Sequence, residues 1–161
     1  MMTKAFEVIS ALQGKSLVTA ESITAGGIGA VLTCIPGSSA VFKGGIISYT
    51  NEVKRGLLGV SKNALETVGA VSEPVARQMA LGARRALHAD IAVSVTGLAG
   101  PSGDAFGHDV GTVFIGYADE TSTRVREYHF QGDREAVRDQ TIEAALALIL
   151  EAYLRENADA E

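Results

Sequence analysis

Residues 16–35, SLVTAESITAGGIGAVLTCI, pass from a β-rich run through a polar turn into a run of small residues. Ser16 to Ala20 reads as a strand, Glu21 to Thr24 as the turn, and AGGIGAVLTCI as a helix with glycines in its first turns. Strand, polar turn and glycine-bearing helix is the arrangement that presents unpartnered backbone N–H groups at a helix N-terminus. It is also the opening unit of an α/β fold.

Upstream, Thr3 to Gln13 puts Phe6, Ile9 and Leu12 on one helical face, and Gly14 stops the helix. Downstream, IPGSS (35–39) is a breaker, and VFKGGIISYT reads as a second strand. Asn51 is a fair N-cap for a short helix, NEVKRGLLG, and Ser61 for another, SKNALETVG. Ser72-Glu73-Pro74 opens a long helix to about His88, with Val75, Met79, Leu81 and Leu87 as its apolar contacts. IAVSVTG (91–97) is apolar enough to be the central strand of a sheet covered on both faces.

After a long loop, LAGPSGDAFGHDV, the runs GTVFIGYA and RVREYHF form two strands joined as a hairpin through DETST. Arg134 to Arg155 forms the last helix, with Val137, Ile142, Ala145, Leu146, Ile149 and Tyr153 as its stripe, and ENADAE should fray. This order predicts one domain over 1–161: a three-layer α/β/α arrangement with a mixed, mostly parallel sheet of about five strands.

The chain has 161 residues, 47% hydrophobic and 20% charged, as folded domains do. The net charge is −5 with no run of Lys or Arg, so a nucleic-acid partner is not expected. The lone Cys34 excludes an intrachain disulfide and suits a reducing compartment. No apolar stretch is long enough for a membrane span, and MMTKAFEVISALQGKSL lacks the apolar core of a secretion signal. A cytoplasmic protein with no membrane partner is expected.

Ser22 lies in the turn between the first strand and the glycine-bearing helix. A serine hydroxyl needs a base to become a nucleophile, and a nearby helix N-terminus can hold an oxyanion or a phosphate. On the local pattern alone, Ser22 or Thr24 in that turn reads first as an ordinary helix cap. Of the three histidines, His88 ends a helix, His108 lies in the long loop, and His129 alternates outward on a strand. No G-x-S-x-G elbow is present, and Cys34 has no partner for a zinc site.

Lysine is the other available base. Lys54, just after the second strand and five residues beyond Tyr49, could serve if burial lowers its pKa, although most helical lysines are solvated. The run Thr96-Gly97-Leu98-Ala99-Gly100-Pro101-Ser102-Gly103 follows the buried third strand, where α/β proteins place ligands. It is neither a P-loop nor a dinucleotide fingerprint, and a plain surface loop is an equal reading. Arg134 and Arg138 lie one turn apart at the start of the last helix, after the cap-like Asp133. The dipole does not explain cations there, so they are candidates for pairing with an anion or with a neighbouring acid.

Taken together, AESITAGG (20–27), PGSSAVFKGGIISYTNEVKRGLLGV (36–60), GAVSEPVARQMA (69–80), SVTGLAGPSG (94–103), VGTVFIGYA (110–118) and GDREAVRDQ (132–140) resemble the C-terminal domain of the competence/damage-inducible CinA proteins. These are nicotinamide-nucleotide amidohydrolases. The resemblance covers nearly the whole chain in order. It implies hydrolysis of the carboxamide of nicotinamide mononucleotide to nicotinic acid mononucleotide and ammonia. It also implies a serine–lysine site, with Ser22, Lys54 and Tyr49 in the matching positions and no cofactor or metal.

A pocket built from Thr24, Gly26, Gly27, Gly97, Ala99, Gly100, Arg134 and Arg138 would then hold the small-molecule nucleotide. The apolar terminal helix and the resemblance together point to a homo-oligomer. It departs from the usual pattern twice: Ala25 stands where a glycine is usual, and the loop beyond Pro101 reads Ser102-Gly103-Asp104-AFGHD in place of a further glycine pair. Nothing here resembles the molybdopterin-binding-like domain of some relatives, so neither pyrophosphatase activity nor a metal requirement is expected. Other readings are the same machinery acting on another small amide, and a non-catalytic nucleotide-binding regulator.

Overall fold

The computed structural model describes residues 1–160, with the backbone alone for residues 159 and 160. Its strands are β1 (Leu17–Glu21), β2 (Phe42–Ile47), β3 (Ile91–Gly97), β4 (Thr112–Ala118) and β5 (Thr123–His129). They form one sheet in the order β2-β1-β3-β4-β5. β2, β1 and β3 pair in parallel, β4 runs against β3, and β5 runs against β4. Four strands therefore share one direction and only β4 opposes it.

The helices are α1 (Met2–Ala11), α2 (Gly27–Thr33), α3 (Asn51–Leu58), α4 (Lys62–Thr67), α5 (Glu73–Ala86) and α6 (Arg134–Ala160). One face of the sheet packs on α1, α2 and α6 through Leu17, Val93, Val95, Ile115, Leu146 and Ile149. The other packs on α3, α4 and α5 through Val18, Ala20, Ala92, Leu58, Met79 and Ala83. Successive residues of a strand point to opposite faces. Both faces are covered, which is why β1, β3 and β4 are buried nearly throughout.

Four expectations need correction. In α1 the stripe facing the core is Ala5, Val8, Ile9 and Leu12, spaced as one helical face, and Phe6 beside it is 60% exposed. In α5, Leu81 lies outside the stripe of Val75, Met79 and Ala83 and is exposed. Thr50, not Asn51, caps α3: its side chain accepts the Val53 N–H at 3.4 Å. α6 does not end at Arg155 but extends to Ala160, and Glu161 lies outside the described residues. Ser61 and Asp133 do cap their helices, accepting the N–H groups of Ala64 and Ala136.

Candidate active site

The carboxyl ends of β1 and β3 and the turn after β2 converge at one edge of the sheet, and β1 has parallel neighbours on both sides there. In open α/β sheets this is where crevices form. Glu21 ends β1 on the α2 side. Alternation turns the next residue, Ser22, towards the opposite helical layer. That layer contains α3, whose Lys54, in its first turn, is buried, 1% exposed.

Lys54 Nζ lies 3.0 Å from Ser22 Oγ, 2.8 Å from the Ser48 carbonyl oxygen and 3.2 Å from that of Tyr49. Among the described residues, no carboxylate is paired with it. Burial disfavours the ammonium and lowers the Lys54 pKa from 10.5 to about 8. A neutral amine has two N–H donors and one lone pair. The two carbonyls take the donors, which leaves the lone pair for the Ser22 hydroxyl. Ser22 is itself buried, with its own backbone N–H donated to the Val95 carbonyl at 3.1 Å.

Glu21, which the sequence places only in the turn, ends β1 instead and changes the role of the helix N-terminus. Its Oε1 accepts from the Thr24 hydroxyl at 2.6 Å and the Ile28 N–H at 2.9 Å. Its Oε2 accepts from the Thr19 hydroxyl at 2.9 Å and the Gly29 N–H at 3.2 Å. The first N–H groups of α2 are therefore bound by the protein's own carboxylate and are not free for substrate. Among the described residues, the backbone N–H groups of Ile23, Ala99 and Gly100 meet no acceptor, and all three residues border the cavity beside Ser22.

That cavity has a volume of about 390 Å³, within the range of small-molecule sites. Ser22 and Lys54 lie in its wall with Gly97, Ala99, Gly100 and Arg134. Tyr49 borders it too, but not as a partner of the pair. Only its carbonyl reaches Lys54, and its hydroxyl accepts a hydrogen bond from Arg134 Nη2 at 3.1 Å. Arg134 Nη1 donates to the Gly100 carbonyl at 2.7 Å. The loop also contributes Asp104 and Phe106, which the sequence reading did not single out.

Four residues expected around the substrate do not line this cavity. Thr24 is buried, with its hydroxyl on Glu21. Gly26 and Gly27 are small for packing: a Cβ would lie 3.3 Å from Ile47 Cδ1 at the first and 2.8 Å from Ile142 Cδ1 at the second. Arg138 donates to the Ile23 and Thr24 carbonyls at 3.1 and 3.3 Å, bracing the turn that carries Ser22. Ala25, in place of the usual glycine, has a φ of +47° and keeps the backbone shape that its position demands.

The fold and the site together define a class: three-layer α/β domains that hold a buried serine–lysine pair beside a cavity at the strand ends. Residues 2–153 match the CinA C-terminal domain, and the chain belongs to that family. It is 43% identical over 144 residues to the nicotinamide-nucleotide amidohydrolase PncC of Escherichia coli K12, covering 89% of this chain and 87% of that protein. A CinA-like protein of Geobacter sp. strain M21 is 48% identical over 141 residues, 88% of this chain. The chain spans about a third of that longer relative, 34% of its length.

Among solved structures, the competence/damage-inducible protein CihA of Agrobacterium tumefaciens superimposes with a TM-score of 0.90 at 38% identity, covering 93% of both chains. A CinA superfamily protein of Klebsiella pneumoniae 700603 does so with a TM-score of 0.92 at 32% identity, covering 96% of this chain and 98% of that one. No helix among the described residues is long and apolar enough to cross a membrane.

Proposed function

We propose that this chain is an amidohydrolase that removes the amide nitrogen of nicotinamide mononucleotide, giving nicotinic acid mononucleotide and ammonia. The observation that carries the reading is the buried Lys54 amine, 3.0 Å from Ser22 Oγ, with its other hydrogen-bonding positions taken by two carbonyls. A buried lysine aimed at a serine, with no carboxylate paired to it among the described residues, suits a base better than a structural ion pair. A serine nucleophile needs such a base. The similarity to an amidohydrolase of nearly the same length supports the substrate.

In the reaction, neutral Lys54 takes the Ser22 proton as Oγ bonds to the carboxamide carbon, and the carbonyl oxygen becomes an oxyanion. Backbone N–H groups without internal acceptors, among them those of Ile23, Ala99 and Gly100, are donors available to it. The Lys54 ammonium returns the proton to nitrogen, the C–N bond breaks, and ammonia leaves an ester on Ser22. Water then attacks the ester, giving its proton to Lys54, and collapse releases the acid and restores Ser22 Oγ–H. Arg134, on the cavity wall with donors to spare, is the cation available to the phosphate.

The test is ammonia release from nicotinamide mononucleotide by wild type, Ser22→Ala and Lys54→Ala. Each substitution should lower kcat at least about 1,000-fold with an unchanged circular dichroism spectrum. A folded Ser22→Ala protein with wild-type turnover would overturn the mechanism. We also place the protein in a reducing compartment as a homo-oligomer. The apolar stripe of α6 is buried in the domain's own core, so this proposal rests on the family resemblance alone. Light scattering that returns the monomer mass would overturn it.

A further inference from the structure

The cavity beside Ser22 is also lined by the stretch of loop where the sequence departs from the family pattern. There Phe106 borders the cavity and remains 44% exposed, although it is a large apolar ring. It is not loosely attached. Asp104 Oδ1 accepts the backbone N–H groups of Phe106 and His108, both at 3.0 Å, and Asp104 Oδ2 lies 2.8 Å from His108 Nδ1. The His108 ring in turn meets Phe114 of β4 edge-on, with centroids 6.2 Å apart.

On its other side the Phe106 ring lies against Gly69, where a Cβ would come within 2.5 Å of Phe106 Cδ2. The ring is thus held at a fixed place with part of its surface turned to the cavity. Asp104 borders the same cavity. Burial alone would raise the Asp104 pKa. The hydrogen bonds from His108 and from the backbone of His108 and Phe106 outweigh it and hold the carboxyl below its usual range. An aromatic face beside a carboxylate is a surface for a flat cation.

We propose that Phe106 and Asp104 form the wall that receives the ring of the substrate, and that they select a ring bearing a positive charge on its nitrogen, an N-alkylated pyridinium. The proposal rests on the reading of the site as a nicotinamide-nucleotide amidohydrolase, whose substrate carries such a ring. The aromatic face attracts the cation through its quadrupole, and the carboxylate adds the opposite charge. A neutral pyridine has the same flat ring and gains neither. The wall would therefore separate the nucleotide from free nicotinamide by charge as well as by its ribose phosphate.

The chain has no tryptophan, so Phe106→Trp in a Ser22→Ala background gives a single fluorescent reporter at the wall. Titration with 1-methylnicotinamide, a cation, and with nicotinamide, its neutral parent, should quench the reporter saturably, with the cation bound about 10-fold more tightly. In an otherwise wild-type chain, Phe106→Leu should raise KM for nicotinamide mononucleotide about 10-fold and leave kcat within about 3-fold. Equal affinity for the two rings, absence of quenching, or an unchanged KM in a folded Phe106→Leu protein would each overturn the proposal. If wild type released no ammonia from the nucleotide, the amidohydrolase reading would fail instead, and the fluorescence titration would still decide whether the wall takes a pyridinium.

Discussion

Lys54 is a buried amine with no carboxylate beside it among the described residues, and its chemistry is set by that burial. Burial lowers its pKa to about 8, so at pH 7 roughly one molecule in ten carries the neutral base. The sign follows directly. The ammonium cannot accept the Ser22 proton, so activity depends on the deprotonated fraction, which grows with pH up to the pKa and levels off above it. The expected profile of kcat/KM for nicotinamide mononucleotide rises about 10-fold per pH unit below 7 and bends to a plateau near 8. A flat profile between pH 6 and 9 would mean that Lys54 is not the base. Lys54 was legible in the sequence only as a candidate, because most helical lysines point to water. Its burial depends on where α3 packs, which no local pattern contains.

At the scale of elements, β1, the turn and α2 work as one unit, and Ala25 is its strained point. The neighbouring Gly26 has a φ of +95° at no cost, whereas Ala25 at +47° has a Cβ crowded by its own backbone. Ala25→Gly should relieve this and stabilise the protein by about 0.5–1 kcal/mol after the extra chain entropy of glycine is counted. For a domain of this size that raises Tm by about 2 °C, measurable by calorimetry. An equal or lower Tm would show that the turn accommodates alanine without strain.

The same unit shows where reading by pattern stops. Strand, turn and helix were legible from period and composition, and the possible need for a positive φ at Ala25 from the residue usual there. Glu21 was not. Its role as the acceptor for two hydroxyls and two helix N–H groups comes from the strand's alternation, which turns Glu21 towards α2 and Ser22 towards α3. Similarly, Phe6 and Leu81 were assigned to the core on apolarity, but the faces their helices turn inward are fixed by neighbours distant in the chain.

For the molecule as a whole, the site is an assembly of segments that share no local contact in sequence. Ser22 follows β1, Lys54 follows β2, and Ala99 and Gly100 follow β3. Arg134, the first residue of α6, joins two of these segments by donating to the Tyr49 hydroxyl and the Gly100 carbonyl. An exposed arginine of this kind contributes little to folding, because water solvates its charge equally well in the unfolded chain. Its contribution is to orientation, since a misplacement of about 1 Å in a reacting geometry can cost as much as 100-fold in rate. Arg134→Ala should therefore shift Tm by less than about 2 °C. It should lower kcat/KM by about 10-fold on nicotinamide riboside, through the loosened walls, and by about 100-fold on the mononucleotide, through the lost phosphate contact as well. Steady-state assays on the two substrates separate these roles. Equal losses would restrict Arg134 to holding the walls together, and a large fall in Tm would make it part of the fold.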